Sequence, residues 1–192
     1  MIATRQRSIF RTVLGINLGM FLLESIAGIL AYSTALLADS VDMLGDAIDY
    51  GFSLYVVGRG AAWQAHAALL KGVIMAAFSV AILAQVAFKI NYGLVPLAEV
   101  IGLVGITALA ANLICLTLLW QRRGDDINMR SAWLCSRNDV IANVGVLIAA
   151  LAVRVTGSPW PDIAIGFLIA ALFGRSAIAV MREVLSHSKF GL

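Results

Sequence analysis

Charge is what this sequence has least of. Asp, Glu, Lys and Arg make up 13% of its 192 residues against 61% hydrophobic, and the mean hydropathy is +0.92. Soluble domains run nearer about 45–50% apolar and about 25% charged, so a water-solvated globule is excluded. Cysteine is equally scarce: Cys115 and Cys135 lie inside or at the edge of apolar runs, which excludes the disulfide framework of a small secreted domain. There are only two histidines, His66 and His187, and no His-rich tract. No basic patch exists either. The net charge is +3, but the Lys and Arg residues stand singly at the ends of apolar runs, a pattern of membrane topology and not of nucleic-acid binding. Linkers, repeats and low-complexity segments are missing. A cleavable leader is not expected, since the apolar stretch after Arg5, Arg7 and Arg11 is too long for one and no A-x-A site follows.

What is present is a series of long apolar runs, at about 9–31, 34–58, 66–90, 94–120, 131–155 and 160–183, each ended by a short polar or Gly/Pro-containing break. A spanning helix needs about 20 apolar residues, so the runs predict an all-α membrane protein, a six-helix transmembrane bundle filling one domain over 1–192. The breaks at Tyr32-Ser33, at Asn91 to Gly93 and at Gly157 to Pro159 are almost uncharged. Those near Arg59 and from Gln121 to Arg130, and both termini, hold most of the Lys and Arg. The positive-inside rule then puts both termini in the cytoplasm of a multi-pass protein of the cell's inner membrane.

Into this apolar background the second run sets Asp39, Asp42, Asp46 and Asp49. At about 100° per residue they fall near 0°, 300°, 340° and 280°, a stripe about 80° wide. An Asp near the bilayer centre costs at least about 2.5–3.5 kcal/mol on insertion scales, so such a row must face a cavity, a cation or itself. Asp42 and Asp46, one turn apart, reach a common point where like charges repel unless a cation or proton intervenes. Asp39 and Asp49 serve either that site or packing and a water path. Cys135 and Asp139 in the fifth run have the same spacing, with Asn138 and Asn143 close by. Two helices could thus close a four-ligand site on Asp42, Asp46, Asp139 and either Cys135 or Asn138. Sulfur with carboxylate suits Zn²⁺ or a similar borderline ion better than Mg²⁺ or Ca²⁺. A divalent ion arriving at clustered carboxylates displaces their protons, so metal and proton compete for one site.

Two segments carry a resemblance. Ala35-Leu-Leu-Ala-Asp39-Ser-Val-Asp42-Met-Leu-Gly-Asp46 resembles the second-helix signature of the cation diffusion facilitators. Cys135-Ser-Arg-Asn-Asp139, a glycine-containing helix and Trp160-Pro-Asp162 resemble that family's fifth helix, connecting turn and sixth-helix start. Asn17, Glu24 and Asn112 extend the likeness over essentially the whole chain. The resemblance implies proton-coupled efflux of Zn²⁺ or Cd²⁺, or of Co²⁺, Fe²⁺ or Mn²⁺, from the cytoplasm by alternating access, commonly as a homodimer. It also implies Asp42, Asp46, Cys135 and Asp139 as the metal ligands, with metal and protons as cargo and no resident cofactor. The family usually has His at the position of Cys135 and adds a cytoplasmic domain after the sixth helix, a domain expected to be absent here.

The remaining polar residues read more plainly. Cys115, with no carboxylate one turn away, is expected to be a small buried residue. Glu24 and Asn17 are expected to hydrogen-bond between helices. Asp162 is expected to cap the sixth helix and Arg175 to snorkel from it. His66 and the Asp125, Asp126 loop are expected to be solvated. Two rival functions use the same carboxylates. A lipid phosphotransferase would show D-G-x-x-A-R, whereas Asp42 is followed by Met-Leu-Gly-Asp; a passive channel or metal sensor would need a weak or static site.

Overall fold

The computed structural model describes residues 2–55, 61–124 and 127–189, and all regular structure in them is helical. The helices are α1 (Ile2–Leu30), α2 (Thr34–Tyr55), α3 (Ala61–Tyr92), α4 (Ala98–Trp120), α5 (Ile127–Thr156) and α6 (Trp160–Lys189). Among the described residues, four stretches are long and apolar enough to cross a bilayer: Gln6–Leu30, Gly72–Tyr92, Ala98–Trp120 and Ala132–Thr156. α2 differs from them by its four aspartates.

Local chemistry sets the helix ends. α1 closes in a Schellman motif: Tyr32 turns left-handed at φ 52°, Ser33 N donates to Gly28 O and Tyr32 N to Ile29 O. α5 closes on Gly157, at φ 64°, whose N–H donates to Val153 O at 2.8 Å. α4 begins at Ala98 and not near residue 94, because Pro96 and the extended Leu97 hold the chain out of the helix. α1 starts earlier and α6 runs further than apolarity alone predicts. α1 has 29 residues, about 43 Å at about 1.5 Å per residue, so its basic first turns outreach a hydrocarbon core of about 30 Å.

The three short connections meet at one end of the bundle, where Leu97 N donates to Ala31 O at 3.1 Å and Ser33 Oγ to Asp162 Oδ1 at 2.6 Å. We call this the turn end; α1 begins and α6 ends at the other. α1 packs chiefly on α2, α4 on α5 and α3 on α6, while α2 touches α1, α3, α5 and α6 and so forms the centre. Leu36, Val41, Ile101, Val146 and Ile169 fill the core around its first half; Phe10, Val13, Tyr50, Leu119 and Met129 fill it around the second. Large apolar side chains such as Ile26, Leu103, Leu151 and Leu168 point outward, as a lipid-facing surface requires.

Asp162 departs from the expectation that it caps its own helix. Its carboxylate accepts Thr34 N at 2.7 Å, Ala35 N at 3.3 Å and the Ser33 hydroxyl, and pairs with Lys89 of α3. It caps α2, in trans, and ties three helices together at the turn end. The reason is proximity: Gly166, one turn along, lies so close to Thr34 that a Cβ would stand 2.6 Å from its carbonyl carbon. A first-turn carboxylate of α6 is therefore nearer the free N–H groups of α2 than to open solvent.

Candidate metal centre

α2 and α5 cross where their polar residues fall. Asp42 and Asp46 of α2 and Asp139 of α5 each bring a carboxylate oxygen within 4.8 Å of the others. Asp46 and Asp139 are buried and Asp42 half-buried. Three carboxylates at such range repel strongly unless a cation or protons join them. They line a cavity of about 430 Å³, shared with Asp49, Cys135 and Asn138 and walled by Met75, Ile169 and Phe173. Low-polarity walls around an acidic cluster strengthen its attraction for a cation, because little water competes.

Of the four ligands expected from the sequence, the structure brings three to one point. Cys135, a half-buried thiol in no disulfide, lines the same cavity, but the group of donors within 4.8 Å among the described residues contains carboxylates only. Asn138, the alternative, also borders the cavity. The aspartate stripe divides: Asp42, Asp46 and Asp49 face the cavity, whereas buried Asp39 accepts from Asn143 Nδ2 at 3.4 Å. Asn143 also donates to Asp139 O at 2.9 Å, within α5.

Sequence reasoning missed Tyr50. Its ring is buried against Phe10, with centroids 6.1 Å apart, and its hydroxyl donates to Asp46 Oδ2 at 2.7 Å. The i, i+4 spacing from Asp46 was the available signal, though a buried aromatic at that spacing reads equally well as core. Asn17 does bridge helices, donating to Cys115 Sγ at 3.8 Å. Cys115 is buried as expected. Glu24 does not bridge: neither of its oxygens meets a donor. Arg175 is exposed. The side chains of His66 and His187, and residues Asp125 and Asp126, lie outside the described residues.

Three carboxylates thus meet between the second and fifth of six helices, with Asp162 at the start of the sixth. The family model of the cation efflux transmembrane domain matches residues 11–187. The chain belongs to the cation diffusion facilitator family. Among curated proteins it is similar to the metal cation efflux system protein CzcD of Cupriavidus metallidurans, 30% identical over 79% of this chain and 52% of that protein. It is also similar to the cadmium, cobalt and zinc/H(+)-K(+) antiporter of Bacillus velezensis, at 26% over 86% of this chain and 57% of that protein. The zinc transporter ZitB of Yersinia pestis shares 28% over 83% of this chain and 55% of its own length. The chain thus spans about half the length of these relatives. Within the family, this member is a multi-helix membrane domain with an acidic centre in its interior.

Proposed function

We propose that this protein carries divalent transition-metal ions out of the cytoplasm in exchange for protons, binding each ion at Asp42, Asp46 and Asp139 with Cys135 or Asn138 as the fourth ligand. The observation that carries the reading is the mutual approach, within 4.8 Å, of three carboxylates from two helices inside an apolar bundle. A site held on two helices changes shape when they shift against each other, which is what alternating access requires and what a fixed channel does not. The relatives' names, which speak of zinc, cadmium and cobalt, support that class of ion. The thiol in the lining favours Zn²⁺ and Cd²⁺ over Mn²⁺, while three carboxylates leave Co²⁺ and Fe²⁺ within range. Proton exchange follows from the donor set, since carboxylates that hold protons in the empty site must release them to the ion. The reading includes a homodimer in the bacterial inner membrane with both termini in the cytoplasm.

Uptake into proteoliposomes under an imposed pH gradient, with Zn²⁺, Cd²⁺, Co²⁺, Fe²⁺ and Mn²⁺ in turn, tests it. Saturable uptake of at least one ion is expected, abolished when the gradient is collapsed and in Asp46→Ala and Asp139→Ala proteins that still insert. Near-normal uptake in both variants would remove the site assignment; no uptake of any ion would remove the function.

A further inference from the structure

Two carboxylates inside the bundle lie outside the metal centre. Glu24 of α1 is 0% exposed, and neither oxygen meets a hydrogen-bond donor. Asp39 of α2 is also 0% exposed; one oxygen accepts the long bond from Asn143, and the other meets no donor. The two are neighbours within electrostatic reach of each other, and Asp42 is also within reach of Glu24. Packing fixes the same level independently. One turn to either side of Glu24, Gly28 meets Leu37 and Met20 packs with Met43. Asn143 adds an amide oxygen that also lacks a donor. α4, packed on α1, presents Asn112 and Cys115; the nearest further carboxylate on α5 is Asp139, one turn from Asn143.

Carboxylates buried without donors in a membrane interior must hold a positive species, because an uncompensated charge there is too costly to persist. No basic side chain among the described residues supplies it. Among the described residues the buried basic side chain is Lys89, and it pairs with Asp162. The available donors are four carboxylate oxygens and one amide oxygen, with no sulfur and no imidazole. Such an all-oxygen set suits a proton or a hard cation, in contrast to the cavity that Cys135 borders.

We propose that Glu24 and Asp39 form a second intramembrane cation site, holding a monovalent counter-cation, either a proton or an alkali-metal ion, apart from the metal centre. Asn143 joins the two sites, since it donates to the Asp39 side chain and to the backbone carbonyl of Asp139. Asp42 stands within electrostatic reach of Glu24. A divalent ion at the metal centre therefore lowers the negative potential at Glu24 and loosens the counter-cation without touching it. Exchange then runs through a second, coupled site in addition to the competition at the metal centre.

The site is tested on the whole chain in nanodiscs, free of divalent metal, by infrared difference spectroscopy while pH is stepped or K⁺ is replaced by N-methylglucamine. This arm does not depend on the transport reading; a second arm, which does, is gradient-driven Zn²⁺ uptake. The unmodified protein should show a carboxyl or carboxylate band that responds to one of the two replacements, pH identifying a proton and K⁺ an alkali ion. E24Q should remove that band, while D46N leaves it. E24Q and D39N should keep Zn²⁺ binding, with a Kd within about threefold by calorimetry, yet lose at least about tenfold in uptake. A wild-type spectrum that responds to neither replacement, or a band that survives E24Q, overturns the second site. Loss of Zn²⁺ affinity together with the band overturns its separateness. If the wild type binds no Zn²⁺ while the band behaves as expected, the transport reading fails and the second site stands.

Discussion

At the scale of single residues the proposed metal centre depends on how Asp46 is held. Tyr50 donates to one of its oxygens from a buried position, which fixes how the carboxylate is presented to an ion. Tyr50→Phe keeps the packing against Phe10 and removes that hydrogen bond. A hydrogen bond to a charged group is worth about 1.5–3 kcal/mol, so the variant should change Zn²⁺ affinity by about tenfold or more. Preference should also drift toward Mn²⁺, which accepts higher coordination. Calorimetry with both ions reads this, and an unchanged ratio would mean that Asp46 is oriented by its helix alone. Cys135→Ser bears on the fourth ligand. If the thiol reaches the ion, Cd²⁺ affinity falls by more than that of Zn²⁺; equal losses, or none, would pass the role to Asn138. The i, i+4 pairs were legible in the sequence because helical spacing alone puts Asp42 beside Asp46. The partition of the stripe, with Asp39 turned from the cavity to Asn143, was not, because it depends on the rotation of α5 against α2.

At the scale of the element, α2 is a helix whose start is secured by another. Lys89→Met would leave Asp162 with its hydrogen bonds but no counter-charge. Breaking a buried pair from one side costs about 3–5 kcal/mol, so the thermal unfolding midpoint in detergent should drop sharply. Adding Asp162→Asn should recover part of the loss, and a double variant no more stable than the single one would show that the pair's charge is not what matters. Gly166→Ala tests the close approach of α6 to Thr34. The new methyl meets backbone, which cannot rotate away, and should destabilise by about 1–3 kcal/mol in the same assay. An aspartate in the first turn of a helix reads from sequence as that helix's own cap. Which free N–H groups it serves depends on the neighbouring turns, and here Ser33 and Thr34 lie closer.

At the scale of the whole molecule, six apolar runs separated by short breaks were enough to give the six helices and their order. Their ends were less legible. Helical pairing continues past the apolar residues in α1 and α6, while Pro96 delays α4. The three turns gathered at one end predict a topology test. Ser158→Cys should react with a membrane-impermeant maleimide added outside intact cells, and a cysteine at Gly124 should react only after permeabilisation. The reverse pattern would invert the orientation and turn efflux into uptake.

The trans cap also has a consequence in time. A chain leaving the ribosome makes α1 and α2 long before α6, so the α2 aspartates enter the membrane while the amides of Thr34 and Ala35 still wait for Asp162. Until α6 arrives, the first amides of α2 lack the carboxylate that caps them, and only Ser33 holds the start of that helix. The sixth helix thus works as a closing clasp: the start of α2 is secured only after α6 has joined the bundle, so a chain cut before α6 would leave the amides of Thr34 and Ala35 without their cap.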